Sequence, residues 1–190
     1  NVDVAAVEAA ITERTRAIRA VHVFGLPADV DELEAVAERH GLPLFFDSAQ
    51  ALGATYKGRP AGTFGRCEVF SMSPTKVITA AEGGLLTTRD AELADRMRQL
   101  RDYGKGRDGQ DMEFIGLNAR MSELHAVVAR HALRGGAGWI AHRLALIDAY
   151  RERLGDLPGI DFQRYPEDRT PSGNYMVLRV DAEACPVSRD

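Results

Sequence analysis

The chain has 190 residues, 45% of them hydrophobic and 27% charged, the balance of a globular protein with enough apolar side chains for a core. Its 28 acidic residues interleave with 24 lysines and arginines for a net charge of -4, so no basic face is set aside for a phosphate backbone and nucleic acid is not expected as a partner. No apolar run is long enough for a bilayer, and Cys67 and Cys185 lie far apart with no histidine or cysteine at metal-ligand spacing, which predicts a cytoplasmic protein with no membrane partner and no metal.

Val4, Val7 and Ile11 recur at helical spacing, and the valine-rich run Ala17 to Phe24 then predicts a strand. Gly25 and Pro27 interrupt it. Asp29 is placed to cap a helix with Glu32 three positions on; Val30, Leu33 and Ala37 form its buried stripe, and Gly41 ends it. Leu42 to Phe46 has no polar alternation, as expected for a strand covered on both faces, and it ends on Asp47. This β-α-β unit implies parallel strands, and open sheets of that kind place ligands beyond the carboxyl ends of their strands. A carboxylate at Asp47 is therefore where chemistry is expected.

A third strand is predicted at Glu68 to Ser71 and a fourth at Gly83 to Thr88. The connection between them is too short for a crossover, so the pair is expected to be antiparallel. Leu93, Met97 and Leu100 mark another helix, and Tyr103 to Gly116, rich in glycine and charge, reads as an exposed loop. Two further helices are predicted, one carrying Leu124, Val127, Val128 and His131, the other Ile140, Leu144, Ile147 and Leu154. Gly135, Gly136 and Gly138 separate them as a hinge between two units, residues 1–134 and 135–190. Short strands are expected at Ile160 to Gln163 and Tyr175 to Val180, the latter with nothing after it to pair with.

The sequence holds three lysines, Lys57, Lys76 and Lys105. Lys57 sits in a turn-like stretch and Lys105 between glycines, so both read as surface residues. Lys76 follows hydroxyl-bearing residues at the carboxyl end of a predicted buried strand. His22, on a predicted strand, reads as a hydrogen-bonded core histidine.

Phe45-Phe46-Asp47-Ser48-Ala49-Gln50-Ala51, then Phe70-Ser71, Pro74-Thr75-Lys76 and Glu82-Gly83-Gly84, are similar in order and spacing to the DegT/DnrJ/EryC1/StrS family of aminotransferases, which depend on pyridoxal 5'-phosphate (PLP). Val21-His22-Val23-Phe24-Gly25, Tyr56-Lys57-Gly58-Arg59 and the stretch from Gly116 to Leu124 resemble the family too, so the likeness runs over nearly all of the chain.

The resemblance implies an α/β fold: part of an aspartate aminotransferase-like, PLP-binding large domain with a mainly parallel sheet (1–134), then a linker helix and the start of a smaller α+β domain (135–190). It implies that Lys76 carries the cofactor and acts as general base, a role open to lysine because its amine deprotonates readily on burial or beside another cation. Asp47 would pair with the ring nitrogen, Ala49 would pack on a ring face, Gln50 would reach the ring hydroxyl, and Ser71 would bind the phosphate. Asn118 and Arg120 match the sequence that reaches the phosphate of a neighbouring subunit, in a homodimer with shared active sites. The implied substrates are an amino acid donor, glutamate foremost, and a nucleotide-linked keto sugar. A keto-cyclitol acceptor, or an inactive remnant serving as an interaction module, are the alternatives. Family members are roughly twice this length, and with no initiator methionine at Asn1 the expectation is a part of a longer polypeptide, lacking an upstream glycine-rich phosphate turn.

Overall fold

The computed structural model describes residues 1–184; Cys185 lies outside the described residues. Helix α1 (Val4–Ala9) starts where the Asp3 carboxylate accepts the Ala6 N–H. Strand β1 (Ile18–Val21), helix α2 (Val30–Arg39) and strand β2 (Leu44–Asp47) follow in the expected order. A small hairpin, β3 (Thr55–Tyr56) and β4 (Arg59–Pro60), precedes β5 (Cys67–Ser71) and β6 (Gly84–Thr87). Then come α3 (Ala91–Arg101), α4 (Glu123–Leu154), β7 (Ile160–Phe162), β8 (Arg169–Thr170) and β9 (Leu178–Val180).

The principal sheet has the order β1-β2-β5-β6. β1, β2 and β5 are parallel and β6 is antiparallel to β5, as the short connection required. Parallel pairing brings the carboxyl ends of β1, β2 and β5 to one edge, where Asp47 and Ser71 stand.

On one face, Ile18, Ala20, Leu44 and Phe46 are buried with Val30, Leu33, Val36 and Ala37 of α2. Each such side chain contributes about 1.5–3 kcal/mol when fully removed from water. The other face of β2 is less covered than a strand with no polar alternation suggests, since Phe45 and Asp47 remain half-buried. A second core joins Met72, Ile78 and Ala80, which flank Lys76, to Ala129, Ala132 and Ile140 of α4.

Several expectations change. β1 ends at Val21, because a 3-10 turn at Val23–Gly25 takes the chain off the sheet with Phe24 at φ 55° and Gly25 at φ 80°. Asp29 precedes α2 but makes no side-chain cap; its carboxylate instead takes Arg169 Nη1 at 2.9 Å. Gly41, at φ 62°, does end that helix, since a left-handed residue there suits glycine.

The two helices expected on either side of Gly135, Gly136 and Gly138 are one helix of 32 residues, so position 134/135 falls inside α4. Gly136 is buried against Ile78, where a Cβ would come within 2.6 Å of Ile78 Cδ1. Close packing thus offsets the weak helix propensity of glycine. β9 is not unpaired either: it runs antiparallel to β7, with Ile160 opposite Val180. β8 joins β3, so the segment around Thr170 returns to the neighbourhood of β2.

Among the described residues no helix is long and apolar enough to cross a membrane, and no group of three or more histidine, cysteine, aspartate or glutamate residues could hold a metal ion.

Candidate active site

The loops that leave β2 and β5 meet in a cleft. Its walls are Ala49, Gln50, Leu52, Ser71, Lys76, Val77, Ile78, Ser172 and Asn174. Four residues singled out in the sequence, Ala49, Gln50, Ser71 and Lys76, are thus together although they come from the ends of two strands and the loops after them. Asp47 stands two residues before Ala49, at the last position of β2.

Lys76 lies in a tight turn whose backbone N–H donates to the Ser73 carbonyl at 3.1 Å. Ser71 Oγ accepts the Ser73 N–H at 3.3 Å, and Thr79 Oγ1 donates to the Met72 carbonyl at 3.2 Å, so the turn is braced by its own hydroxyls. Lys57 pairs with Asp31 at 2.8 Å and Lys105 with Asp102 at 3.6 Å. Lys76 has no such partner among the described residues, and it is half-buried. The Asp47 carboxylate accepts only the Ala49 N–H, at 3.2 Å, among those residues, which leaves acceptor capacity on the second oxygen.

Ser48, between Asp47 and Ala49, is fully buried and donates to Glu68 Oε2 at 2.6 Å. Glu68 is also fully buried, and its other oxygen accepts the N–H groups of Gly62 at 2.6 Å and Phe64 at 2.8 Å. A buried carboxylate is tolerated on such terms. His22 is fully buried and stacks on Phe46 with ring centroids 4.7 Å apart. Its Nδ1 accepts the Ala28 N–H at 2.9 Å, which leaves the ring proton on Nε2, 3.7 Å from Glu68. This is the core histidine expected from the sequence, and it lies beside Glu68, which holds Ser48 of the Asp47–Ala49 segment.

Sequence reasoning missed Ser172 and Asn174. They belong to the buried turn Pro171–Asn174, which closes the cleft from the carboxyl-terminal part of the chain. Ser172 Oγ donates to the Gln50 carbonyl at 2.5 Å, and Ser172 N–H donates to the Gly25 carbonyl at 3.0 Å. Asn174 Oδ1 accepts the Val77 N–H at 3.2 Å. Serine, glycine and asparagine after proline signal a turn, yet no local pattern says which loops it will touch.

Asn118 and Arg120 do not line the cleft; both are exposed. Arg120 pairs with Asp102 at 3.2 Å and lies over the Tyr103 ring, 5.1 Å from its centroid. The apolar side chains around them face solvent, Ile115 at 100%, Leu117 at 70% and Leu124 at 81% exposure.

Comparison with known proteins identifies the family. The model of the DegT/DnrJ/EryC1/StrS aminotransferase family matches residues 1–190. The erythromycin biosynthesis sensory transduction protein EryC1 of Saccharopolyspora erythraea is 46% identical over 180 residues, covering 94% of this chain and 49% of that protein. The dTDP-3-amino-3,4,6-trideoxy-alpha-D-glucose transaminase of Streptomyces venezuelae is 41% identical over 176 residues, covering 92% of this chain and 46% of that protein. The X-ray structure of S. venezuelae DesV in complex with a ketimine intermediate superposes with a TM-score of 0.90 at 41% identity, over 95% of this chain and 48% of that one. The chain spans about half the length of the relatives it matches. By its family match, its relatives and its mixed α/β sheet, this chain belongs to the DegT/DnrJ/EryC1/StrS aminotransferase family.

Proposed function

We propose that this chain binds pyridoxal 5'-phosphate at Lys76 and serves the transfer of an amino group from an amino acid, glutamate foremost, to the keto carbon of a nucleotide-linked sugar. The observation that carries the reading is the cleft itself, in which a lysine without an ion pair among the described residues shares its walls with Ala49, Gln50 and Ser71. The residues present suit the cofactor chemically. They offer an amine to attach, a hydroxyl for a phosphate, an amide for a ring hydroxyl, and an alanine whose small side chain a flat ring can approach closely. Asp47 has a carboxylate oxygen uncommitted among the described residues, available to a protonated ring nitrogen.

When bound, the cofactor supplies an electron sink for the reacting carbon of the substrate. The side chains do the rest. Asp47 would keep the ring nitrogen protonated by holding the proton with a fixed negative charge. Ser48 and Glu68 hold the segment on which Asp47 and Ala49 sit, and Ser71 and Gln50 would fix the position of the ring. Lys76 would attach the cofactor and, once released, carry a proton to and from the substrate carbon as general base.

The name of the S. venezuelae relative specifies a dTDP-linked amino sugar, which supports a nucleotide-linked keto sugar as acceptor here. Asn118 and Arg120, exposed beside Ile115 and Leu117, support a homodimer in which they reach the neighbouring cleft. The 1–134 and 135–190 division is retained in this reading as a functional one, with the first part holding the cofactor.

The test is direct. The full chain incubated with PLP should develop an absorbance band that borohydride fixes, and peptide mapping should locate the adduct on Lys76. Lys76→Ala should abolish it. An adduct only on Lys57 or Lys105, or none in the unaltered chain, overturns the reading.

A further inference from the structure

Buried polar groups normally have hydrogen-bond partners, and beside Lys76 one does not. Asn174 lines the Lys76 cleft and is 5% exposed. Its Oδ1 accepts the Val77 N–H. A backbone N–H can only donate, so the amide oxygen has to face it and the orientation of the carboxamide is settled. Nδ2 therefore lies on the opposite branch, buried and without a partner among the described residues.

The turn that carries Asn174 leaves it little freedom to find one. Arg143 donates to the carbonyls of Gly173 at 2.8 Å and Asn174 at 3.1 Å. The Asn174 N–H donates to Ser172 Oγ at 3.2 Å, and Ser172 is itself tied to Gln50. The amide is thus held from behind, and it is hydrogen-bonded to the residue that directly follows Lys76. A donor fixed in this way at a reaction centre is arranged to meet an acceptor atom that arrives with a ligand.

Resting on the aminotransferase reading above, we propose that Asn174 is a substrate-binding residue, whose Nδ2 donates to an oxygen of the molecule reacting at Lys76. A carboxamide N–H recognises an acceptor oxygen. Both substrates of an amino transfer to a keto sugar carry one: the amino acid has a carboxylate and the sugar has hydroxyls. The two half-reactions separate these sources.

Asn174→Asp is the informative variant, because it keeps an oxygen for the Val77 N–H and exchanges only the donor for an acceptor. With PLP bound to the full chain, each half-reaction is followed by the change in cofactor absorbance. KM for one substrate should rise about tenfold or more, as expected for one lost hydrogen bond, with a smaller change in kcat. The borohydride-fixed adduct on Lys76 should be unchanged. A rise confined to the amino acid assigns the carboxylate, and one confined to the keto sugar assigns a hydroxyl. Asn174→Ala, which buries no charge but also gives up the Val77 hydrogen bond, is read by the same two KM values if the aspartate variant does not fold.

Unchanged KM in both half-reactions overturns the proposal and leaves Nδ2 to a structural water. Loss of the Lys76 adduct in both variants also overturns it, since the side chain then only holds the lysine loop. If the unaltered chain forms no adduct at Lys76, the cofactor reading fails first, and that is seen before any variant is made.

Discussion

Gly136 and Gly138 lie two residues apart in α4 and should answer oppositely to alanine. A helical glycine costs about 0.8–1.0 kcal/mol relative to alanine. Gly138 is exposed, and a Cβ built there meets nothing within 4 Å, so Gly138→Ala should recover nearly all of that. For a chain of this size the melting temperature should rise by about 2–4 °C. At Gly136 the new Cβ would stand 2.6 Å from Ile78 Cδ1 and 3.0 Å from Cγ1. Favourable carbon contacts begin near 3.5 Å. Ile78 is 6% exposed and packed between Met72, Ala80 and the helix, so its movement is resisted, and overpacking of this kind costs about 1–3 kcal/mol. The helix gain and the packing loss then leave Gly136→Ala neutral or up to about 2 kcal/mol destabilised, by difference of the two ranges. Urea unfolding of both variants, with unchanged slope, measures the contrast. If Gly136→Ala is stabilised as much as Gly138→Ala, α4 does not press on the Lys76 loop as described. Ile78 is two residues from Lys76, so any stability loss should be accompanied by weaker PLP binding.

Ser172→Ala removes the hydroxyl that donates to Gln50 and accepts from Asn174; leaving those buried groups unmet should cost about 1–3 kcal/mol in denaturant unfolding, and a loss below about 0.5 kcal/mol would contradict a closed Pro171–Asn174 turn. The hydrogen bond and charge of the Arg169 guanidinium hold the Asp168 carboxyl below its ordinary value. A carboxyl depressed in the folded state adds stability that is complete above the unfolded pKa of about 3.9 and disappears as pH falls through the lower folded value. Asp168→Asn should therefore be less stable than the unaltered chain at pH 6 and lose the difference in strongly acidic solution; a gap independent of pH would show that the ion pair is not its source.

Much of the fold was legible because local and tertiary preferences agree. In the β1-α2-β2 unit the apolar stripe of Val30, Leu33 and Ala37 and the strand residues Leu44 and Phe46 all bury against one another. The short connection after β5 likewise allowed only one sense of pairing for β6. Where the reading failed, a distant residue changed a local choice. Asp29 has the chemistry of a cap, but Arg169 takes its carboxylate; that guanidinium is only 8% exposed, and it also stacks 4.8 Å over Tyr56. Three glycines suggested a break in α4, and only the neighbouring Ile78 shows why one of them is an asset to the helix. The pairing of β9 with β7 was out of reach for the same reason, since short strands carry too little pattern to choose a partner.

The site divides along the same line. Asp47, Ala49, Gln50, Ser71 and Lys76 sit at the carboxyl ends of two adjacent parallel strands and on the loops that follow them, so the strand pattern was enough to bring them to one edge. Ser172 and Asn174 come from far down the chain and reach that edge through side-chain hydrogen bonds to Gln50 and Val77. Nothing periodic encodes such a return. Its consequence is mechanical as well as chemical: Ser172 ties the loop after β2, Asn174 ties the loop after β5, and Arg143 of α4 holds the turn that bears both. The spacing between Gln50 and Lys76 is therefore set from outside the sheet. A change that loosens the turn should disturb both loops together, so the destabilisations caused by Ser172→Ala and Asn174→Ala in denaturant unfolding should be non-additive in a double-mutant cycle. Strict additivity would mean that each residue acts on its own loop and that the turn does not couple them.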